Sequence, residues 1–282
     1  SYYAKPINFS GSTYQGGADF AFSTYEGGAD FRDSTYKGKA NFSYSVYKDW
    51  AFFSGSVYTD GAYFSGSAYK DLAVFSRSTY QGEADFTDST YKDVADFSRS
   101  TYQGGADFAF STYQDRANFR GSIYTGEANF SGSTFYYGGK ANFNGSIFYS
   151  ETYFSKDGYS NSPSCFTNCA PQFYDKKNRK NTLFGSHNND FTVDIDKGYS
   201  IDLNSEGIPL SCKQLTPEQK EYLADKFQEI DETNNKLLEA KDDEEKARLS
   251  DMLRPLYKEL RKWREEATTV KMEDAAPGEE DN

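Results

Sequence analysis

The stretch ADFAFSTYEGGADFRDSTYKGKANF, residues 18–42, states one phrase twice and begins it a third time. Alanine, an acidic or amide residue and phenylalanine return every eleven positions, with Ser-Thr-Tyr between them. Working outward, units start at Ile7, Ala18, Ala29, Ala40, Ala51, Ala62, Ala73, Ala84, Ala95, Ala106, Ala117, Ala128 and Ala141, thirteen in all. Each has eleven residues except the twelfth, where FYYGGK inserts two residues between Phe135 and Lys140. A degenerate fourteenth begins at Thr152. A fixed period of this kind signals stacked structural units and takes precedence over residue-by-residue propensity.

Each unit holds two short extended pieces, A-D/N-F and S-T-Y. Alternate residues of an extended chain face the same side, so Ala, Phe, Ser and Tyr point inward while Asp, Asn and Thr point outward. Geometry then sets the number of units per turn. Eleven residues at about 3.3 Å each enclose a loop only about 11 Å across, too narrow for a Phe and a Tyr lying flat. Two units give a perimeter of about 73 Å and four sides, each delivering one aromatic. The expected fold is therefore a four-sided parallel β-helix of about 22 residues per coil and six to seven coils, roughly 31 Å tall. Phe ladders occupy two opposite faces, and Tyr ladders occupy the other two.

The second residue after each Tyr is Gly16, Gly27, Gly38, Asp49, Asp60, Asp71, Gly82, Asp93, Gly104, Asp115 and Gly126 in the first eleven units. Glycine and aspartate tolerate left-handed backbone, which places a tight left-handed turn at this corner.

Composition narrows the function. The chain has 282 residues, 24 Tyr and 24 Phe, one His and three Cys. That leaves little for metal sites or nucleophile–base pairs, and neither catalytic nor cofactor-binding residues are assigned. The net charge of −12 argues against a nucleic-acid binder. Residues 1–151 carry 12 Lys+Arg against 16 Asp+Glu, and residues 152–282 carry 19 against 27, so the acidity lies mainly in the second half. No apolar run reaches the roughly 18 residues of a membrane span. Cys165, Cys169 and Cys212 permit one disulfide and a free thiol. The start SYYAKP reads as a processed or trimmed N-terminus.

Small–polar–Phe followed by two free residues, over residues 7–155, resembles the pentapeptide-repeat family, here in a five-plus-six variant. The sequence APQFYDKKNRKNTLFGS (170–186) is similar to the degenerate last turns of that family. The resemblance implies a right-handed, four-sided β-helix. Pentapeptide-repeat proteins are common in cyanobacteria and chloroplast lumens, so it also implies a thylakoid-lumen setting.

Residues 156–214 read as an irregular cap. Within it, FTVDIDKGYSIDL (191–203) is a predicted β-hairpin turning at Gly198, and KKNRK (176–180) is a basic patch. Residues 215–270 read as a helical hairpin that starts with the capping box Thr216-Pro217-Glu218-Gln219. One apolar stripe is Leu223, Phe227, Ile230 and Leu237. The other is Leu249, Leu253, Leu256, Leu260, Trp263 and Ala267. Pro255 is expected to kink or restart the second helix. Residues 271–282 form an acidic tail.

These features favour a non-enzymatic structural or interaction protein whose C-terminal helices are expected to dock onto other protein subunits, such as those of a membrane complex, through Phe227, Leu253, Leu256, Leu260 and Trp263. Two rivals are a DNA-mimic inhibitor of a topoisomerase and a carbohydrate-binding module using exposed Tyr. The outward Asp and Asn residues are expected to bond neighbouring backbone rather than a row of cations.

Overall fold

The computed structural model describes residues 1–136, 141–155 and 162–271; most of the FYYGGK insertion and nearly all of the acidic tail lie outside the described residues. The described chain is a parallel β-solenoid of about seven turns followed by two helices. Register sets the coil at 22 residues: Thr24-Tyr25 pairs with Val46-Tyr47, and Ala29-Asp30 with Ala51-Phe52. Four parallel sheets result, of eight, six, nine and seven strands, each strand two residues long. Following the chain from Tyr3 through Ile7, Tyr14 and Ala18 back to Tyr25 alternates the two motifs. The two tyrosine sheets therefore face each other, as do the two Ala–Phe sheets.

The interior is aromatic throughout. Tyr25 stacks on Tyr47 at 4.7 Å, Phe31 on Phe53 at 5.1 Å, and Phe31 meets Phe42 of the opposite sheet edge-on at 5.0 Å. Each ring thus satisfies its quadrupole twice, by stacking along the column and by edge contact across it. The serine before Thr-Tyr is small because it sits inside, and polar because it ties coils together. Ser45 Oγ donates to the Phe20 carbonyl at 3.3 Å and accepts the Ser23 N–H at 3.2 Å.

Corner geometry differs from the expectation drawn from the Gly/Asp positions. The left-handed residues follow Phe, not Tyr: Gly11, Phe22, Asp33, Tyr44, Gly55, Gly66, Arg77, Asp88, Arg99, Phe110, Gly121, Gly132 and Gly145, with φ between 51° and 72°. The physical reason is loop length. Only two residues separate Phe from the next inward Ser, and that turn is too tight for right-handed backbone alone. Three residues separate Tyr from the next Ala, which spreads the turn. The outward Asp or Asn organises the tight corner by accepting the N–H two residues on, as Asp85 does from Thr87 (3.0 Å) and Asn129 from Ser131 (3.0 Å). At the wide corner, glycine serves a different need. A Cβ at Gly104 would lie 2.5 Å from the Gly82 carbonyl oxygen of the preceding coil. Aspartate in the same role accepts the next N–H, as Asp93 does from Val94 at 2.6 Å.

Parallel pairing continues past residue 155. Cys165-Phe166 and Leu183-Phe184 extend the two tyrosine sheets, and Phe173 stacks on Phe143 at 5.0 Å. The predicted hairpin at 191–203 does not form. Phe191 turns inward against Phe184, Val193 bridges Ser164 in parallel, and the Tyr199 N–H bonds the Phe166 carbonyl. Ile195, Tyr199 and Leu203 are exposed and only Ile201 of the second half packs against the core, so the alternation has no continuous core to face. An antiparallel hairpin forms instead at Tyr174–Asp175 and Lys180–Asn181, with KKNRK around its tip. All three cysteines are free thiols, and burial pushes Cys212 up to about 12.

Candidate docking surface of the helical hairpin

Helix α1 spans Pro217–Glu239 and helix α2 spans Asp243–Ala267. The capping box closes α1 as the sequence predicts, with Thr216 Oγ1 accepting the Gln219 N–H at 3.2 Å and Gln219 Oε1 accepting the Thr216 N–H at 3.0 Å. Asp242 caps α2 by accepting the Glu245 N–H at 2.8 Å. Helix α2 runs unbroken through Pro255, so the proline does not restart it. Pro255 lies on the exposed side, where solvent can serve the carbonyl that proline leaves unpaired.

Both helices lie along one tyrosine face. The outward column there runs Thr13, Thr35, Val57, Thr79, Thr101, Ile123, Ile147 and Leu183. Ile123, Ile147, Leu183 and Leu215 form one apolar cluster with Leu223, Ile230, Leu253, Tyr257 and Leu260. Polar contacts fix the register of the hairpin. Gln81 Nε2 donates to Asn234 Oδ1 (2.9 Å) and to the Tyr257 hydroxyl (3.2 Å), and that hydroxyl donates to Gln103 Oε1 (2.9 Å). Gln103 Nε2 also reaches Asp231 at 3.3 Å. Near the end of the stack, Tyr149 meets Phe227 edge-on at 5.4 Å, and Tyr222 stacks on Trp263 at 4.9 Å.

The five residues expected to face partners divide accordingly. Leu253 and Leu260 are 6% and 0% exposed and are spent between helices and solenoid. Phe227, Leu256 and Trp263 are half-buried at the edge of the same cluster. The sequence reading did not single out Ile123 and Ile147 as the helices' seat, although the signal was present. In SIY and SIF, isoleucine replaces threonine at an outward position of consecutive coils on one face.

Trp263 also lines a cleft of about 810 Å³ at the C-terminal end of the stack, with Leu183, Gln214, Gln219, Glu266 and Val270. Asn181 Oδ1 and Gln214 Oε1, on the same wall, are buried without a partner among the described residues. At the loop end of the hairpin, Leu238 and Met252 are exposed at 61% and 46%.

The repeat itself offers little chemistry. Ten ladder tyrosines, from Tyr25 to Tyr124, have buried hydroxyls without a hydrogen-bond partner, so none presents a stacking platform for a sugar. Burial pushes these phenols far above their ordinary value, and the neighbouring phenols of the column add to it, as Tyr69 and Tyr25 do for Tyr47. Asp107 is raised to about 6, first by burial and then by Asp85. No three His, Cys, Asp or Glu side chains among the described residues are placed to hold a metal ion. His187, the single histidine, is exposed. No described helix is long and apolar enough to cross a membrane. No protein-family model, curated protein or solved structure matches this chain. The fold is a rigid solenoid scaffold with no enzymatic feature evident among the described residues.

Proposed function

We propose that this chain is a non-enzymatic member of the pentapeptide-repeat family, a rigid spacer whose C-terminal helical end docks onto another protein subunit. One observation carries the reading. The hairpin is locked to the solenoid by both packing and the Gln81–Tyr257–Gln103 bonds, yet Trp263 and the cleft beside it stay open. A rigidly held half-exposed tryptophan beside polar groups without partners is the kind of centre at which interfaces concentrate their energy. The setting proposed is the thylakoid lumen, as part of a membrane complex. It rests on the family resemblance and on the acidic charge.

Affinity capture of the full chain from its native source, with wild type and Trp263→Ala in parallel, tests the docking role. Loss of a specific co-purifying subunit in the variant, with unchanged circular dichroism, is the expected result. An identical set of co-purifying proteins removes the helical end from the interface. Fractionation of the native complex tests the compartment separately.

A further inference from the structure

Where α2 crosses the solenoid it passes over Gly121, a left-handed corner with φ of 64°. A Cβ at Gly121 would lie 3.4 Å from Arg264 Nη1 and 3.5 Å from Arg99 Cγ. The Arg264 guanidinium therefore lies over this backbone corner, beside the aliphatic stem of Arg99. The Arg264 side chain is only 8% exposed, and its Nε has no partner among the described residues. Its one carboxylate, Glu265, is shared: Oε2 meets Arg264 Nη2 at 3.1 Å, and Oε1 is taken by Lys180. Arg261 lies one turn before Arg264 on α2, where side chains are neighbours. Arg99 and Arg261 are exposed and form no ion pair among the described residues. Arg264 and Lys180 thus share one carboxylate while Arg99 and Arg261 lie close to Arg264, in a chain whose net charge is −12. Burial, with Arg99 and Arg261 nearby, depresses the Arg264 pKa, the sign of a charge short of compensation. Repulsion among guanidinium groups in such a place is relieved by an anion, and the planar fork of arginine matches an oxyanion with two parallel hydrogen bonds.

We propose that Arg99, Arg261 and Arg264 form a binding site for a tetrahedral oxyanion, a phosphate or sulfate group. Two further cations stand nearby: Arg77, one coil before Arg99 at the same corner, and Arg120, next to Gly121 and close to Asp175 at the base of the KKNRK hairpin. A negative ligand carrying such a group therefore meets favourable charge beyond the site as well as in it.

The test uses the full chain. Thermal unfolding in chloride, sulfate and phosphate at constant ionic strength reads the free ion. Sedimentation with phosphatidylcholine vesicles, with or without phosphatidylglycerol, reads a lipid phosphate. The expected result is a saturable rise in midpoint with phosphate or sulfate beyond chloride. Affinity should fall about tenfold or more in Arg99→Gln/Arg261→Gln, the loss expected for removing a bidentate contact. Arg32→Gln, elsewhere on the solenoid and paired with Asp30, should leave it unchanged. Sedimentation that needs phosphatidylglycerol and is lost in the same double variant assigns the group to a headgroup. Should the double variant unfold early, Arg99→Lys/Arg261→Lys keeps the charge without the fork and should still weaken binding. No saturable rise together with no lipid-dependent sedimentation, or equal responses in wild type and variants, overturns the site.

Discussion

The two tyrosine faces are built from the same phrase and meet different fates. Both present Ser and Tyr inward, stack their rings at 4.7–5.0 Å and carry a column of outward residues. On one face that column is Thr24, Val46, Ala68, Thr90, Thr112 and Thr134, all half-buried and uncovered by the helices. On the other, Thr79, Thr101, Ile123 and Ile147 are buried beneath the helical hairpin. The interior therefore follows from the repeat, whereas the exterior follows from departures from it. A regular repeat makes a rod, and a few irregular outward residues decide which side of the rod does something.

The first way to break the comparison is alkali, because it addresses the interiors the faces share. Each buried phenol keeps its proton in the folded state far above the ordinary value of 10.0 and releases it once unfolded. The folded pKa is raised, so stability is intact below about pH 10 and lost as pH climbs above it. Each phenol removes about 1.4 kcal/mol per pH unit in that window. Ten such hydroxyls, five on each face, together remove about 14 kcal/mol over one pH unit, near the top of the usual range of about 5–15 kcal/mol for a domain. Phenolate absorbance and circular dichroism should change in one cooperative step. Gradual ionisation with the fold retained would show that the columns are open to solvent.

The second way separates the faces. Ile147→Asp places a charge under the helices and is expected to cost about 3–5 kcal/mol, with the hairpin becoming open to protease. Thr112→Asp at an outward site on the uncovered face should stay within about 0.5 kcal/mol. Equal losses at the two positions would mean that the hairpin does not rest on Ile147.

The repeat was legible because its signals are redundant: all thirteen units keep Phe at the third position and Ser followed two residues later by Tyr or Phe, and coil size follows from ring dimensions. The left-handed corner was misplaced because glycine has two uses. At Gly104 it permits backbone approach between coils, and at Gly55 it permits positive φ. Sequence alone does not separate these uses, and Phe22 or Arg99 in the left-handed position hides the second. The hairpin at 191–203 failed for a related reason, since alternation identifies a strand only when a core awaits one side of it. The apolar stripes of the two helices were half legible. Their helical spacing was clear, but the surface they meet lies 100 residues away in sequence, in two isoleucines that replace threonine.

A third expectation concerns Asp107, raised to about 6 by burial and by Asp85. Keeping it ionised at pH 7 costs stability that is recovered as pH falls through 6 towards the ordinary carboxylate range. Asp107→Asn retains the turn, as Asn129 does one coil on. It should raise stability at pH 7 by about 1–2 kcal/mol, discounted for partial exposure, and flatten the pH dependence between 4 and 6. A loss of stability at pH 7 would show that the charge itself is needed there.

The smallest effect returns to the shared interior. At the C-terminal end of both ladders the chain itself replaces Tyr by Phe, at Phe135 and Phe166 on one face and Phe148 and Phe184 on the other. The ring is therefore what the stack requires, and the hydroxyl is dispensable. Tyr91→Phe removes a buried hydroxyl that has no partner, a gain of about 1–3 kcal/mol. It also leaves a void the size of one oxygen, with a loss of order 1 kcal/mol. The net expectation is a gain of up to about 2 kcal/mol, matched by Tyr102→Phe on the opposite face, measured by denaturant unfolding. A loss at either position would show that its hydroxyl is satisfied after all, most simply by the serine two residues before it. The two faces would then differ inside as well as out.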